Sequence, residues 1–176
     1  MRLLLQKLPA LQKQEAEKEF EKHMIEYELL LRKVCRIYAY TNADRQDLFQ
    51  EIVIQLWKAY PKFKGVAKLS TWMYRVAINT AITALRKKKD FIISYEPASL
   101  PVHRSDDNLS HTEEEQLRQL YKAIEQLNQV EKAIVMLYME ERSYAEMEDI
   151  LGISQGNLRV KMNRIKEKLR QQAKNY

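Results

Sequence analysis

Glycine and proline are scarce in this chain, and their scarcity restricts the folds open to it. Only three glycines and four prolines occur in 176 residues. Hairpins and sheet corners depend on these residue types for tight turns, so a fold rich in β-sheet is disfavoured. Apolar residues make up 45% of the chain and charged residues 31%, a mixture typical of helix-rich globular proteins. The sequence therefore predicts an all-α protein.

Apolar side chains recur every three or four residues, which is the spacing of one buried helix face. Such stripes run from Phe20 to Tyr38, from Leu48 to Trp57 and from Trp72 to Leu85, and others follow in the second half of the chain. Residues 91–112 contain two prolines, several serines and no helical period, as expected of a flexible linker. The predicted organisation is an N-terminal extension (1–18), a small helical domain (19–90), this linker, and a second small helical domain (113–176).

Polar residues at the edges of these stripes predict where helices begin. Asn42 or Asp44 is placed to cap the second helix, and Ser70 or Thr71 is placed to cap the third. The second helix is expected to end before Pro61, because the residue before a proline disfavours helical geometry. The first domain is thus predicted to be a helical bundle.

Charge is distributed unevenly along the chain. The formal net charge is +6, and the stretch from Lys58 to Lys89 has nine lysines and arginines but no acidic residue, although 24 acids occur overall. Trp72 and Tyr74 lie in the same stretch. Such a surface suits a polyanion, and it also describes an ordinary solvated basic face. Charge alone leaves both interpretations open.

The segment from Ser143 to Gln171 has the pattern of a helix-turn-helix. Ser143 is placed to cap a short helix, whose inner residues are Ala145, Met147 and Ile150. Gly152 then allows a tight turn, Ile153 fills the angle between the two helices, and Ser154 is placed to cap the second helix. Leu158, Met162, Ile165 and Leu169 then form the inner face of a second helix.

That second helix is the one suited to the major groove of DNA. Six basic residues and one acid occur from Leu151 to Arg170, whereas five acids and one base occur from Glu140 to Asp149. Arginines on its outer face match guanine or phosphate, asparagines match adenine, and valine matches a thymine methyl group. The alternative is an ordinary helical hairpin with a solvated basic face. The predicted DNA-binding residues are Ser154, Gln155, Asn157, Arg159, Val160, Lys161, Asn163 and Arg164.

Residue types that perform catalysis or hold metals form no motif here. Cys35, the only cysteine, falls in an apolar stripe, so a buried thiol and a reducing, cytoplasmic location are expected. Asp44, Asp47 and Glu51 have helical spacing but no histidine partner, which leaves a metal site unsupported. We therefore predict no catalytic residue, no metal and no cofactor. No segment has the length and apolarity of a membrane-spanning helix.

Three segments resemble the extracytoplasmic-function (ECF) sigma factors, the smallest class of the bacterial sigma-70 family. They are ADRQDLFQEIVIQLWKAYPKFKG and STWMYRVAINTAITALRKKK, which correspond to family region 2, and LGISQGNLRVKMNRIKEKL, which corresponds to region 4. The resemblance covers roughly residues 20–169. It implies that the chain binds core RNA polymerase and directs it to promoters. Region 2 would recognise and open the –10 element, and region 4 would recognise the –35 element and dock on the polymerase flap.

The resemblance also implies roles for individual residues of region 2. The clamp helices of the polymerase would dock on Asp47, Leu48, Gln50, Glu51 and Gln55, a surface that otherwise suits an amphipathic helix with solvated carboxylates. Melted –10 DNA would be bound by Lys62, Lys64, Lys68, Ser70, Trp72, Tyr74, Arg75, Asn79, Thr83, Arg86 and Lys87.

A pocket for an unstacked base is expected between the loop Lys64–Ser70 and the helix that contains Asn79 and Thr83. Relatives often have Asp or Asn where Thr83 stands, which leaves the preferred base open. For Trp72 and Tyr74, core packing competes with base stacking.

Relatives of this kind are commonly held inactive by an anti-sigma factor, so such a partner is expected in addition to core polymerase and promoter DNA. The alternative function is that of a stand-alone dimeric helix-turn-helix regulator, which would bind a palindromic site tightly without polymerase. An enzyme or a membrane-surface protein fits the sequence less well. The chain has no phosphate-binding glycine loop, and its basic helix has no broad apolar face to spare.

Overall fold

The computed structural model describes residues 10–92, 120 and 122–174, and in these ranges the regular structure is entirely helical. The chain divides into two compact units, Met1–Ile93 and Ser94–Tyr176. The all-α prediction is therefore confirmed. The predicted linker lies outside the described residues, except for its first two residues, which end a helix.

Within residues 10–92, the first unit forms four helices: α1 (Ala10–Glu26), α2 (Glu28–Tyr38), α3 (Asn42–Ala59) and α4 (Leu69–Ile92). A short 3-10 turn, Tyr60–Lys62, follows α3. Helices α2, α3 and α4 pack against one another. Their inward side chains form the core: Leu31, Val34, Tyr38, Ile52, Leu56, Met73, Tyr74, Ala77, Ile78 and Ala81.

Residues 20–38, which form the first apolar stripe, were expected to form a single helix. The structure has two helices there, and Tyr27 separates them with a backbone outside the helical region (φ –106°, ψ 12°). Apolar spacing does not detect such a break, because the inward residues on both sides of it continue at intervals of three and four.

Thr41, rather than Asn42 or Asp44, caps α3. Its hydroxyl oxygen accepts from the Asp44 backbone N–H at 3.0 Å, and the hydroxyl donates to the Asp44 carboxylate at 2.7 Å. The Arg45 guanidinium donates to the Ala39 carbonyl at 3.0 Å, which satisfies an acceptor just beyond the end of α2. The corner between α2 and α3 is thus held by side chains from the first turn of α3.

The other boundaries of α3 and α4 agree with the sequence only in part. Helix α3 ends at Ala59, before Pro61 as predicted. Helix α4 begins at Leu69, so Ser70 and Thr71 lie within its first turn instead of preceding it. The Lys68 carbonyl accepts from the Trp72 N–H at 3.1 Å, which places Lys68 at the cap position.

The second unit contains α5 (Gln129–Met139), α6 (Tyr144–Leu151) and α7 (Gln155–Lys174). Asn128 and Glu131 form a capping box at the start of α5, and Ser143 and Glu146 form another at the start of α6. The predicted Ser143 cap is confirmed. The described core of the unit is built from apolar side chains of these helices and of the preceding segment, which is helical at residues 122–125: Ile124, Leu127, Ala133, Ile134, Leu137, Met147, Ile150, Leu158, Met162 and Ile165.

Two backbone positions with positive φ separate the helices of this unit. Gly152 ends α6 at φ 68°, as predicted for the turn. Glu141 follows α5 at φ 56°. The Arg142 N–H donates to the Leu137 carbonyl and the Glu141 N–H donates to the Tyr138 carbonyl, both at 3.0 Å, which is the hydrogen-bond pattern of a Schellman motif. A glutamate at this position gives no sequence signal, so this turn was not predicted.

Candidate nucleic-acid interface

Helix α7 separates its apolar and polar residues cleanly. Leu158, Met162 and Ile165 are buried against the other helices of the unit. The side chains at the intervening positions are exposed, and even the apolar Val160 is 50% exposed. The exposed predicted DNA-binding residues are Ser154, Asn157, Arg159, Val160, Lys161, Asn163 and Arg164. One helix face is therefore available to a polyanion, with the geometry expected of a recognition helix.

Two contacts between α6 and α7 hold the beginning of that face. The Arg159 guanidinium lies over the Tyr144 ring, 5.0 Å from its centroid. Gln155 is half-buried and donates to the Glu148 carboxylate at 3.0 Å. Tyr144 was not predicted as part of the site, because only tertiary packing brings it to Arg159. The short helix was also predicted to bury Ala145, which is exposed in the structure.

The basic loop between α3 and α4 projects from the first unit. Lys62, Lys64 and Lys68 are exposed, and Val66 between them is 92% exposed. Gly65 has φ 69°, a left-handed conformation that allows the chain to turn here. The loop thus places cations and one apolar side chain at the surface.

An aromatic cluster supports this loop. The Trp72 ring lies 5.0 Å from the Phe63 ring and 6.4 Å from the Tyr60 ring, measured between centroids. The Phe20 ring lies 5.3 Å from the Tyr60 ring and 4.9 Å from the Trp57 ring. Trp72 is half-buried in this cluster, so its described contacts are structural.

Tyr74 does not belong to an accessible DNA surface. Its side chain is only 1% exposed and belongs to the core in which α4 packs against α2 and α3. This burial contradicts the predicted role of Tyr74 in binding melted DNA. At 100° per residue, Tyr74 and Arg75 point in different directions, and Arg75 is exposed. The sequence prediction failed here because an aromatic residue inside a basic stretch suits either the core or the surface.

The remaining predicted –10 residues lie on α4. Asn79, Thr83, Arg86 and Lys87 are exposed, and Ser70 is half-buried. Asn79 and Thr83 line an open groove whose opposite side is formed by Glu51 and Gln55 of α3.

This groove is not where the base pocket was expected. At 1.5 Å per residue, Asn79 is about 14 Å and Thr83 about 20 Å along α4 from Ser70. The residues that line this groove come from α3 and α4 and none from the loop Lys64–Ser70, so the groove differs from the predicted base pocket, which stays a prediction.

The predicted docking surface on α3 also divides. Asp47, Gln50 and Glu51 are exposed. Leu48 is only 8% exposed and contributes to the core, so it is not a surface contact as predicted. Gln55 is half-buried and donates to the Glu51 carboxylate at 2.7 Å.

A second groove lies beside the exposed docking residues. Phe49 and Gln50 of α3 line it together with Arg32 of α2, whose guanidinium lies 5.0 Å from the centre of the Phe49 ring. Phe49 and Arg32 were not in the predicted set. An aromatic ring therefore lies next to the polar groups that were predicted to dock.

Cys35 is among the residues that line the second groove, but its side chain is almost fully buried. Burial raises the pKa of the Cys35 thiol to about 11, although Arg32 and Arg45 act in the opposite direction. The thiol is therefore protonated at neutral pH and packs in the bundle as a small apolar group. The Asp44 carboxylate is used in the α3 cap. No group of three or more potential metal ligands occurs within residues 10–92 and 122–174.

None of the described helices is both long enough and apolar enough to cross a membrane.

Comparison with known proteins identifies both units. Residues 24–91 match the family model of sigma-70 region 2, and residues 117–169 match that of sigma-70 region 4, so that together the matches cover more than half of the chain. Among curated relatives, the ECF RNA polymerase sigma factor SigW of Bacillus subtilis is 27% identical over 166 residues, or 83% of this chain and 81% of that protein.

Two further relatives match over shorter stretches. The ECF RNA polymerase sigma-E factor of Escherichia coli is 26% identical over 137 residues, 72% of each chain. SigG of Mycobacterium tuberculosis is 37% identical over 71 residues, which is 40% of this chain but only 19% of SigG. The chain thus spans about a fifth of that relative and most of the other two.

Solved structures share the fold. The sigma factor RpoE from Bartonella quintana, in complex with the anti-sigma factor NepR, has a TM-score of 0.74 at 18% identity over 89% of this chain and 98% of RpoE. CnrH, in complex with the cytosolic domain of CnrY, has a TM-score of 0.64 at 14% identity over 90% of each chain. With both family regions matched in order, the chain belongs to the sigma-70 family, as an extracytoplasmic-function RNA polymerase sigma factor.

Proposed function

We propose that this chain binds core RNA polymerase and directs it to specific promoters, where region 2 recognises and helps open the –10 element and region 4 recognises the –35 element. One observation supports this most directly. The two matched family regions occur in order in one chain, and each presents a cationic helix surface, on α4 and on α7.

At the –35 element, α7 enters the major groove of intact duplex. Arg164 and Lys161 are exposed cations on its outer face and suit phosphate or guanine, while Asn157 and Asn163 suit adenine. Val160 is exposed enough to contact a thymine methyl group. Arg159 is positioned by the Tyr144 ring beneath it.

At the –10 element, the exposed loop lysines and the outer face of α4 bind the opened strands. Lys62, Lys64 and Lys68 attract the phosphates, and Arg75 and Arg86 extend the cationic surface along α4. Trp72 acts indirectly, because it packs under Phe63 and holds the loop. Tyr74 has no direct role, since it is buried.

The polymerase clamp helices dock on the exposed part of α3, including Asp47, Phe49 and Gln50, and region 4 docks on the polymerase flap. The complex of RpoE with the anti-sigma factor NepR supports an anti-sigma factor as a further partner. The chain works in the cytoplasm, where polymerase and chromosome are found. It requires no catalytic chemistry of its own, because the polymerase performs the reaction.

Run-off transcription tests this proposal. Core polymerase is combined with the full chain and a library of genomic promoters, and new start sites are mapped. We expect a defined set of starts that share –10 and –35 motifs. A triple variant with Lys64, Arg75 and Arg164 changed to Gln should lose most of this activity, whereas Lys18, Lys22 and Lys122 changed to Gln form a charge-matched control on exposed positions elsewhere.

The competing function, a stand-alone dimeric regulator, gives a different result in the same experiment. It predicts tight binding to a palindromic site without polymerase and no new start sites with polymerase. The family assignment does not favour it, since region 2 would have no role in such a protein. Unchanged initiation by the triple variant would also overturn the proposal.

A further inference from the structure

Gly156 lies in the first turn of α7, and its own surroundings give no reason for a glycine there. It follows Gln155, the first residue of the helix, and it is exposed. Its backbone does not have the positive φ of Gly65 and Gly152. A Cβ added at Gly156 would have no atom of the described residues within 4 Å. Neither the backbone conformation nor crowding within the described part of the chain therefore requires the side chain to be absent.

A glycine at such a position also works against the helix. Because glycine loses more conformational freedom than alanine on folding, it disfavours a helix by about two- to fivefold in the equilibrium constant. Gly65 and Gly152, the other glycines of the chain, have left-handed backbones that favour glycine. Gly156 has no such compensation, so the advantage of its missing side chain is sought in contact with another molecule.

The direction of Gly156 around α7 indicates which molecule this is. At 100° per residue, Gly156 points about 20° from Asn163 and about 40° from Val160, but about 160° from Leu158. Val160 and Asn163 are exposed and belong to the predicted DNA contacts, whereas Leu158 is buried. Gly156 therefore begins the helix face that is proposed to enter the major groove, about 6 Å along the axis from Val160.

The large side chains next to Gly156 are held against α6. Gln155 donates to the Glu148 carboxylate at 3.0 Å. The Arg159 guanidinium lies over the Tyr144 ring, 5.0 Å from its centroid. Both side chains are thus directed toward α6, and the main chain of α7 stays uncovered at Gly156, in agreement with the open space around its Cβ position.

An uncovered stretch of main chain allows a helix to come closer to its ligand than side chains would permit. A Cβ would project about 1.5 Å from the main chain, the length of one carbon–carbon bond. Hydrogen bonds from side chains to base edges hold only over a range of about 0.5 Å in length. A helix pushed outward by a side chain at position 156 would therefore lengthen several neighbouring contacts at once, including those proposed for Asn157 and Asn163.

We propose that Gly156 is a positioning residue for –35 recognition. Its missing side chain lets the main chain of α7 lie directly against the intact duplex and sets the depth of the helix in the major groove. This inference rests on the proposed function, because it requires region 4 to bind a –35 duplex. Gly156 distinguishes no base by itself, and it acts through the distance between the other residues of the face and the base edges.

The test uses holoenzyme assembled from the full chain and core polymerase. The DNA is a promoter found in the run-off assay, together with single-base changes along its –35 element and a version in which unrelated duplex replaces that element. Affinities are measured by competition for Gly156→Ala, Gly156→Leu and Asn163→Ala. Gln171→Leu is the matched control, because it introduces the same leucine at an exposed position of α7 outside the predicted DNA contacts. Hydrogen exchange of the α7 amides measures the stability of the second unit in each variant.

We expect stability and binding to change in opposite directions in Gly156→Ala. The folding equilibrium constant of the second unit should rise by up to about fivefold. The affinity for the promoter should fall by about tenfold, comparable to the loss of one good base contact. Gly156→Leu should bind the promoter little better than the version without a –35 element. Base preferences should fall together along the –35 element in both Gly156 variants, whereas Asn163→Ala should reduce the preference at one position and Gln171→Leu at none.

Three results would overturn the inference. If Gly156→Leu binds the –35 element as wild type does, α7 makes no close approach at this position. If Gly156→Ala destabilises the second unit, the fold itself requires the glycine. If the loss of preference is confined to one base pair, the residue does not set the depth of the helix. Failure of the proposed function is distinguishable from all three, because wild-type holoenzyme would then produce no promoter-specific starts in the run-off assay.

Discussion

Helices α4 and α7 are both cationic on their outer faces, but their candidate DNA-binding residues are arranged differently. On α7 the predicted contacts lie on one exposed face, opposite a buried apolar stripe. On α4 the predicted set divides among the core, the solvent-exposed face and a groove shared with α3, as Tyr74, Arg75 and Asn79 illustrate. One helix face is enough to bind the regular groove of a duplex, whereas binding of single strands uses surfaces built from several elements.

The two surfaces also differ in what holds them. The helix-turn-helix is positioned by local signals, namely the Ser143 capping box and the left-handed Gly152. The region-2 surface depends on contacts distant in sequence, such as Phe20 against Tyr60 and α3 against α4. Disturbing the core of region 2 should therefore abolish its DNA contacts, while region 4 should tolerate loss of a single outer residue.

The largest effect is expected from Tyr74→Ala. Removing a buried aromatic ring should lower the free energy of unfolding of the first unit by about 3–5 kcal/mol. The neighbouring Arg75→Ala, at an exposed position, should cost less than about 1 kcal/mol. Thermal unfolding followed by circular dichroism measures both. If Tyr74→Ala retained wild-type stability and lost only DNA binding, the ring would be a base-stacking residue after all.

A smaller effect, confined to binding, is expected from Arg164→Ala. Loss of one guanidinium from the outer face of α7 should weaken holoenzyme binding to an intact –35 element by about 1–3 kcal/mol without changing stability. Arg170→Ala removes an exposed arginine of the same helix that was not predicted to contact DNA. Equal losses from the two variants would mean that α7 contributes only nonspecific attraction.

Gly152 and Glu141, the left-handed positions between the described helices of region 4, allow a paired test of backbone strain. Gly152→Ala should destabilise the second unit by about 1–2 kcal/mol, since a Cβ disfavours positive φ and no neighbouring atom lies within 4 Å to add a clash. Glu141→Gly should stabilise it by up to about 1 kcal/mol for the same reason, at φ 56°. Denaturant unfolding of both variants measures this. Changes of the same sign would contradict the backbone explanation.

The smallest effect is expected from Glu131→Gln. Burial tends to raise the Glu131 pKa, but hydrogen bonds from Lys168 and the Asn128 backbone outweigh it and lower the pKa. A lowered folded-state pKa means that the ionised carboxylate stabilises the fold above the unfolded value of 4.5, and that this contribution is lost as pH falls through the folded pKa.

We therefore expect Glu131→Gln to cost about 1 kcal/mol at pH 7, because it also weakens the capping box of α5. The cost should shrink as the pH falls below 4.5, because the carboxylate of the unfolded state is then largely protonated, and it should be smallest below the lower pKa of the folded state. Urea unfolding of both proteins at pH 7 and pH 3.5 measures the difference, with the exposed Glu167→Gln as control. A cost independent of pH would exclude a contribution from the charge.

The sequence predicted region 4 better than region 2, and the reason lies in the range of the interactions. Ser143, Gly152 and Leu158 follow rules that operate within a few residues, and the structure has each of them in its predicted place. Tyr74 and Leu48 were assigned to surfaces that the packing of three helices turns inward. The groove shared by Gln55 and Asn79 joins residues 24 positions apart, which no periodicity connects.

Other features that the sequence analysis did not predict involve residues close together in the chain, and they have a different cause. Tyr27 interrupts the helix without altering the spacing of the apolar stripe. Glu141 has a left-handed backbone conformation, in which glycine is the usual residue. Tyr144 joins Arg159 only because the turn at Gly152 brings α6 over the start of α7. In each case the residue type is ordinary for a helix, and its role comes from its backbone or its neighbours.

The aromatic cluster beneath the basic loop has a spectroscopic consequence. The chain has two tryptophans, Trp57 and Trp72, and both lie in that cluster. Indole emission excited at the red edge of the absorption band therefore originates wholly in region 2, while region 4 contributes no indole signal. Melting of one module, or strand capture at its loop, can be followed optically in the intact chain without labels and without interference from the other module.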